Sequence, residues 1–168
     1  MPPAHAPRRF PTLEVRSLAG VDLVLPRDLT APRTLVVCAF QQWHQHLVDA
    51  WIRWAVDDAG VAPTPLGLSA AAPSVVVEVP VLGRRYRAAR RFIDGGMARG
   101  IGVPEVLART LTAYTDVPAF CRAAGIASSA TIEVFVLRSD GDVLAHVTGP
   151  WSPAGGDVVT AALRDGDA

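Results

Sequence analysis

The stretch Thr34-Leu35-Val36-Val37-Cys38-Ala39-Phe40 is apolar at nearly every position. A strand with one wet face alternates apolar and polar residues, whereas a strand covered on both faces reads as a continuous apolar run. This run is therefore placed at the centre of a parallel sheet. A helix is expected to follow over Trp43 to Ala59. Leu47, Trp51, Trp54, Ala55 and Asp58 share one face of it, widened by Val48, Ile52 and Val56. Gly60 stops that helix. Ser74-Val75-Val76-Val77-Glu78-Val79 is a second buried strand, ended by Pro80. Strand, helix and strand make a βαβ unit, which puts the chain in the α/β class.

The flanking segments extend the pattern. Leu13 to Leu25 reads as two short strands around Ala19-Gly20. The segment Pro63 to Pro73 is a loop, and Val81 to Tyr86 a connector. Ala88 to Ala98 has helical spacing, with a break expected at Gly95-Gly96 because glycine is costly inside a helix. Pro104 to Ala113 is a further helix with proline in its first turn. Val117 to Ala124 is a short one, capped by Asp116 and closed by Gly125. Thr131 to Leu137 and Val143 to Val147 form a hairpin around Asp140-Gly141. Gly155 to Leu163 is the last helix. Residues 1–9 are expected to be a flexible tail and 10–165 one domain, a normal length for a single core among the 168 residues of the chain.

A βαβ half joined to a ββα half resembles the thioredoxin-like superfamily. The N-terminal hairpin and the run Ile132-Glu133-Val134-Phe135-Val136-Leu137-Arg138-Ser139-Asp140-Gly141-Asp142-Val143, followed by Gly149, are similar to its peroxiredoxin and TlpA-like branch. The stretch from Tyr114-Thr115-Asp116 to Gly149 resembles the thioredoxin-like assembly factors of mitochondrial ATP synthase. The resemblance implies a three-layer α/β/α domain with a central mixed sheet and an N-terminal β-hairpin. It also implies a reactive thiol just after the first central strand, where unpaired amides and the helix dipole favour a thiolate. Family members carry Trp-Cys-x-x-Cys or Thr-x-x-Cys there. This chain has Gln41-Gln42-Trp43-His44-Gln45-His46-Leu47, with His44 and Leu47 where the two cysteines would stand. The family's cis-proline before the third central strand has no counterpart in Gly125 to Thr131. Exchange at that position has no thiolate to carry it.

Composition narrows the remaining choices. Sixteen basic and sixteen acidic residues give zero formal net charge, so no global field draws the chain to nucleic acid or an anionic membrane. Every basic residue is arginine, and neither lysine nor asparagine occurs. That bias fits a GC-rich, bacterial coding sequence and is discounted as a sign of function. Cys38 and Cys121 are far apart and form no disulfide framework, which suits a reducing, cytoplasmic setting. Arg8-Arg9 is followed by no apolar segment of the secretory kind, and no run has the length of a membrane span.

The candidate partner or ligand cleft is Gln41, Gln42, Trp43, His44 and His46. His44 and His46 diverge by about 200° on a helix and cannot share one metal. No metal or cofactor is expected. Arg84, Arg85, Arg87, Arg90 and Arg91 make a candidate basic face, which on a neutral protein is a weak signal for nucleic acid. Asp94, Gly95 and Gly96 are a candidate cleft wall. The expected function is a redox-inactive binding, assembly or chaperone-type module whose partner is a protein or small molecule. The alternative is an enzyme with altered chemistry, through the Cys121 thiol or His44 as an acid–base group.

Overall fold

The computed structural model describes residues 8–63 and 72–165. Its strands are β1 (Leu13–Ser17), β2 (Asp22–Leu25), β3 (Arg33–Ala39), β4 (Ser74–Gly83), β5 (Leu111–Thr115), β6 (Glu133–Arg138) and β7 (Val143–Thr148). Its helices are α1 (Gln45–Asp57), α2 (Arg90–Ile101), α3 (Pro104–Arg109), α4 (Val117–Ala124) and α5 (Pro153–Arg164). Short 3-10 turns at Gln42–His44 and Arg84–Ala89 lead into α1 and α2. The strands form one mixed sheet in the order β2-β1-β5-β4-β3-β6-β7. β4 runs parallel to both β3 and β5, while β1 and β6 join antiparallel. Among the described residues no helix is long and apolar enough to cross a membrane.

The apolar run of β3 is buried on both faces because each face meets a separate core. Val36 and Cys38 pack with Val77, Val79, Phe120 and Phe135 beneath α4. Leu35 and Val37 pack with Val76, Trp51, Ile52 and Val159 beneath α1 and α5. Trp51 is wholly buried, and its indole N–H donates to the carbonyl of Gly149 at 3.0 Å. Helix α5 approaches this ring closely at Gly155, where a Cβ would stand 3.2 Å from Trp51 Cη2. The hairpin turn at Gly141 has φ +96°, and a Cβ there would come within 2.6 Å of Pro26 Cγ. Both a left-handed backbone and a close neighbour therefore require glycine at that turn.

Three expectations are corrected. The helix expected from Pro104 to Ala113 ends at Arg109, and Leu111–Thr115 is strand β5. Its Leu111 and Ala113 enter the core while Thr112 and Tyr114 face the other way, a period of two that suits a strand. β5 joins the N-terminal hairpin to the sheet through Arg16↔Thr112 and Ser17↔Leu111. Helix α2 runs unbroken through Gly95-Gly96 and stops at Gly102, whose φ is +65°. The connector expected over Val81 to Tyr86 begins as sheet, since Val81 pairs with Ala113. Of the tail expected over residues 1–9, Met1–Pro7 lie outside the described residues, as does most of the loop expected at Pro63 to Pro73. Arg9 bridges to Asp142, and the amide of Val143 donates to the Arg8 carbonyl at 2.7 Å.

One buried charge sits in the sheet centre. The Glu78 carboxylate accepts from the Thr110 hydroxyl at 2.8 Å and lies 3.9 Å from Arg109 Nε. Burial raises its pKa above the ordinary 4.5, against the opposing pull of Thr110 and Arg109. The folded chain thus binds the Glu78 proton more tightly than the unfolded chain. The associated stability is fully present below about pH 4.5 and is lost as pH rises through the raised value. Glu78→Gln keeps an acceptor for Thr110 without the charge. We expect its melting temperature to exceed wild type at pH 7 and to match it below pH 4.5. Thermal melts across that range check this, and a variant no more stable at pH 7 would contradict it.

Candidate functional site

β3 delivers the chain to a junction at the C-terminal end of the sheet, where Phe40 and Gln41 lead into α1. His44 turns inward here and is wholly buried. Its Nδ1 accepts from the backbone amides of Phe40 and Gln41 at 3.1 and 3.2 Å. Its Nε2 donates to the carbonyl of Ala130 at 3.2 Å. One nitrogen accepting and the other donating is the pattern of a neutral imidazole. The ring therefore ties the β3–α1 junction to the loop before β6, and both nitrogens are used inside the chain.

The outer surface of the junction belongs to its neighbours. Gln41, Gln42 and His46 are exposed, and Trp43 is 57% exposed. The Trp43 ring meets His44 edge-on at 4.4 Å and lies 6.1 Å from His46. His46 Nδ1 donates to the Trp43 carbonyl at 2.7 Å, which fixes the pair. Four of the five residues read as one cleft thus share a surface, while His44 supports it from within. The loop Gly125 to Thr131 contains no cis peptide; the only one among the described residues joins Leu25 to Pro26.

Neither cysteine lies at this junction, and both are buried. Cys38 faces the α4 side of the sheet, and its desolvation pushes the thiol pKa far up. Burial raises the Cys121 thiol too, with the charge of Glu133 adding to it. Glu133 is itself buried, and it accepts from His146 Nε2 at 2.6 Å and from the Thr148 hydroxyl at 2.8 Å. His146 stacks on Phe135 at 4.3 Å, and its Nδ1 accepts from Arg8 at 2.8 Å. This pair is not among the candidates that the sequence suggests. Its signal was a single carboxylate within the apolar run Ile132 to Leu137, since a buried charge must find a partner.

The second candidate region gathers into a cleft between the N-terminal hairpin and α2. It encloses about 500 Å³ and is lined by Arg16, Asp22, Arg90, Arg91, Asp94 and Gly95. An adjoining hollow of about 330 Å³ adds Arg27, Asp28, Arg87 and Tyr114. Asp94 accepts from Tyr114 at 2.7 Å and Thr112 at 3.0 Å, with Arg90 Nε 3.5 Å away. Burial first, and then the hydrogen bond to Asp94, push the Tyr114 phenol up. Arg84 and Arg85 stand outside on the exposed 3-10 turn, and Gly96 is on the outer side of α2. The arginines are largely matched: Arg16 with Asp22, Arg27 with Asp28, Arg87 with Glu14 and Arg90 with Asp94. A cleft so balanced supplies little of the uncompensated charge that phosphate backbones require.

No protein-family model matches the sequence, and no curated protein matches it. Solved structures do. Yeast Sco1 with copper bound is similar at TM-score 0.60 and 9% identity, over 95% of each chain. The exposed lipoprotein thioredoxin of Streptococcus pneumoniae is similar at TM-score 0.56 and 11% identity, over 92% of this chain and 99% of that one. A thiol:disulfide interchange protein from Bacteroides gives TM-score 0.55 and 14% identity, over 96% and 89%. At these identities the likeness concerns the fold. The copper belongs to Sco1; among the described residues of this chain no three His, Cys, Asp or Glu side chains converge as a metal site would need. The mixed sheet, the helices on both faces and these neighbours together give one conclusion: the chain has a thioredoxin-like fold, and a buried histidine, His44, stands where the resemblance implies a first cysteine.

Proposed function

We propose that this chain is a redox-inactive, cytoplasmic binding or assembly module that engages a protein or small-molecule partner through Gln41, Gln42, Trp43 and His46. The observation that carries the reading is His44: it fills the thiol position and spends both ring nitrogens on backbone groups. A thiol enzyme built on Cys121 draws no support from a buried thiol whose pKa is raised. A large aromatic that is more than half exposed, by contrast, is the residue type that anchors partners. The Arg84–Arg91 face would extend the contact surface from the neighbouring turn.

Trp43→Ala tests the reading while leaving the three hydrogen bonds of the buried His44 ring in place. Tagged wild type and variant are used to recover partners from native lysate, with circular dichroism confirming that both are folded. The expected result is a stoichiometric partner on wild type whose recovery falls at least about tenfold on the variant, the scale of an interface hot spot. Equal recovery on both baits would move the binding surface elsewhere.

A further inference from the structure

The segment from Arg84 to Arg99 carries six arginines and one acidic residue, Asp94, in a chain of zero net charge. Two of the six are matched, Arg87 with Glu14 and Arg90 with Asp94. The Asp94 carboxylate is also engaged by the hydroxyls of Tyr114 and Thr112. Arg84, Arg85, Arg91 and Arg99 are exposed, and among the described residues no carboxylate pairs with them. Phe92 is 80% exposed, more than any other large apolar side chain among the described residues. On α2 it shares one stripe with Gly96 and Arg99, at the i, i+4, i+7 spacing. The other large apolar residues of that helix, Ile93, Met97 and Ile101, are half-buried.

Four unmatched cations around one bare ring set the chemistry of what can cover them. Their like charges repel one another, and an anionic partner relieves that repulsion. A membrane surface takes up a helix through a broad apolar face, which α2 does not turn outward. A nucleic-acid strand needs a basic track along many phosphates, and the excess of carboxylates elsewhere in this neutral chain opposes it. A short run of carboxylates with an apolar side chain suits both the cations and the ring. We propose that the face formed by Arg84, Arg85, Arg91, Phe92 and Arg99 binds an acidic protein segment, whose carboxylates meet the arginines and whose apolar side chain covers Phe92. The proposal rests on the reading of the chain as a binding module and names the chemistry of its partner. Because β3 and β4 run parallel in the register Ala39↔Pro80, Gln41 and Arg84 leave the sheet at the same end of those strands.

The probe is a fluorescein-labelled, glutamate-rich peptide with two leucines, titrated with the full 168-residue chain at low ionic strength and read by anisotropy. Two further peptides replace its glutamates by glutamine or its leucines by serine. The expected result is saturable binding of the first peptide that weakens as salt is added, because exposed charges are screened. The glutamine peptide should not bind, and the serine peptide should bind about tenfold more weakly, the scale of a lost aromatic anchor. Phe92→Ser should make the leucine and serine peptides bind alike. Arg84→Glu with Arg91→Glu should weaken the leucine peptide at least about tenfold, as two reversed surface pairs would. Gly96→Glu, at a site where an added Cβ meets nothing within 4 Å, should weaken it roughly threefold. Trp43→Ala should leave it unchanged, so that failure here and failure of the Trp43 surface are told apart. Absence of saturable binding with submillimolar protein would overturn the proposal. So would affinity that survives the arginine reversals, affinity lost in Trp43→Ala instead, or tighter Phe92-dependent binding of single-stranded DNA or phosphatidylserine vesicles.

Discussion

His44→Ala is expected to lower the free energy of unfolding by about 3 kcal/mol, because buried polar groups left without partners cost roughly 1–3 kcal/mol each. The ring is wholly buried and serves the amides of Phe40 and Gln41 and the carbonyl of Ala130. Alanine strands all three, and water entering the vacated space recovers part of the loss. His44→Asn places a side-chain carbonyl near the former Nδ1 and should halve the effect. Chemical denaturation reads both, as a shift of midpoint at constant slope. A loss below about 1 kcal/mol for alanine, the value of one ordinary hydrogen bond, would show that the ring is not a structural tie.

Trp51→Ala is expected to cost about 4 kcal/mol, the usual range for truncating a large buried aromatic. Three contacts concentrate on this side chain. Its N–H holds Gly149 at the end of the β6–β7 hairpin, its ring meets Trp54 edge-on at 5.6 Å, and Gly155 lets α5 rest against it. For a domain of this size the change corresponds to a fall of roughly 10 °C in Tm. Trp51→Phe keeps most of the apolar area and leaves only the Gly149 carbonyl unmet, so its loss should be less than half. Equal losses for the two variants would place the effect in the hydrogen bond alone.

The parts of this fold that were legible in the sequence are those set by local pattern. The continuous run of β3, the amphipathic face of α1 and the Asp140-Gly141 turn each declare their element within a few residues. Asp116 caps α4 through the amide of Ala119 at 3.0 Å, and Gly125 closes it at φ +72°, as their residue types imply. β5 was not legible, because Leu111–Thr115 continues a helical spacing from Pro104 and becomes a strand only through β1 and β4. The inward turn of His44 is likewise non-local, since its partner Ala130 lies 86 residues away. Arg90, Arg91, Asp94 and Gly95 were singled out as two separate features. Their common cleft depends on Arg16 and Asp22 of a hairpin more than 60 residues earlier. Gly95 and Gly96 have no close approach to explain them, as an added Cβ at Gly96 would meet nothing within 4 Å.

We propose that the junction after β3 holds a structural histidine in place of a reactive thiol and performs no disulfide exchange. Reduction of insulin disulfides by dithiothreitol, followed with and without the wild-type chain, tests it most directly. The same rate is expected in both reactions. A rate that rises in proportion to the amount of protein would show a working thiol in this chain and contradict the claim.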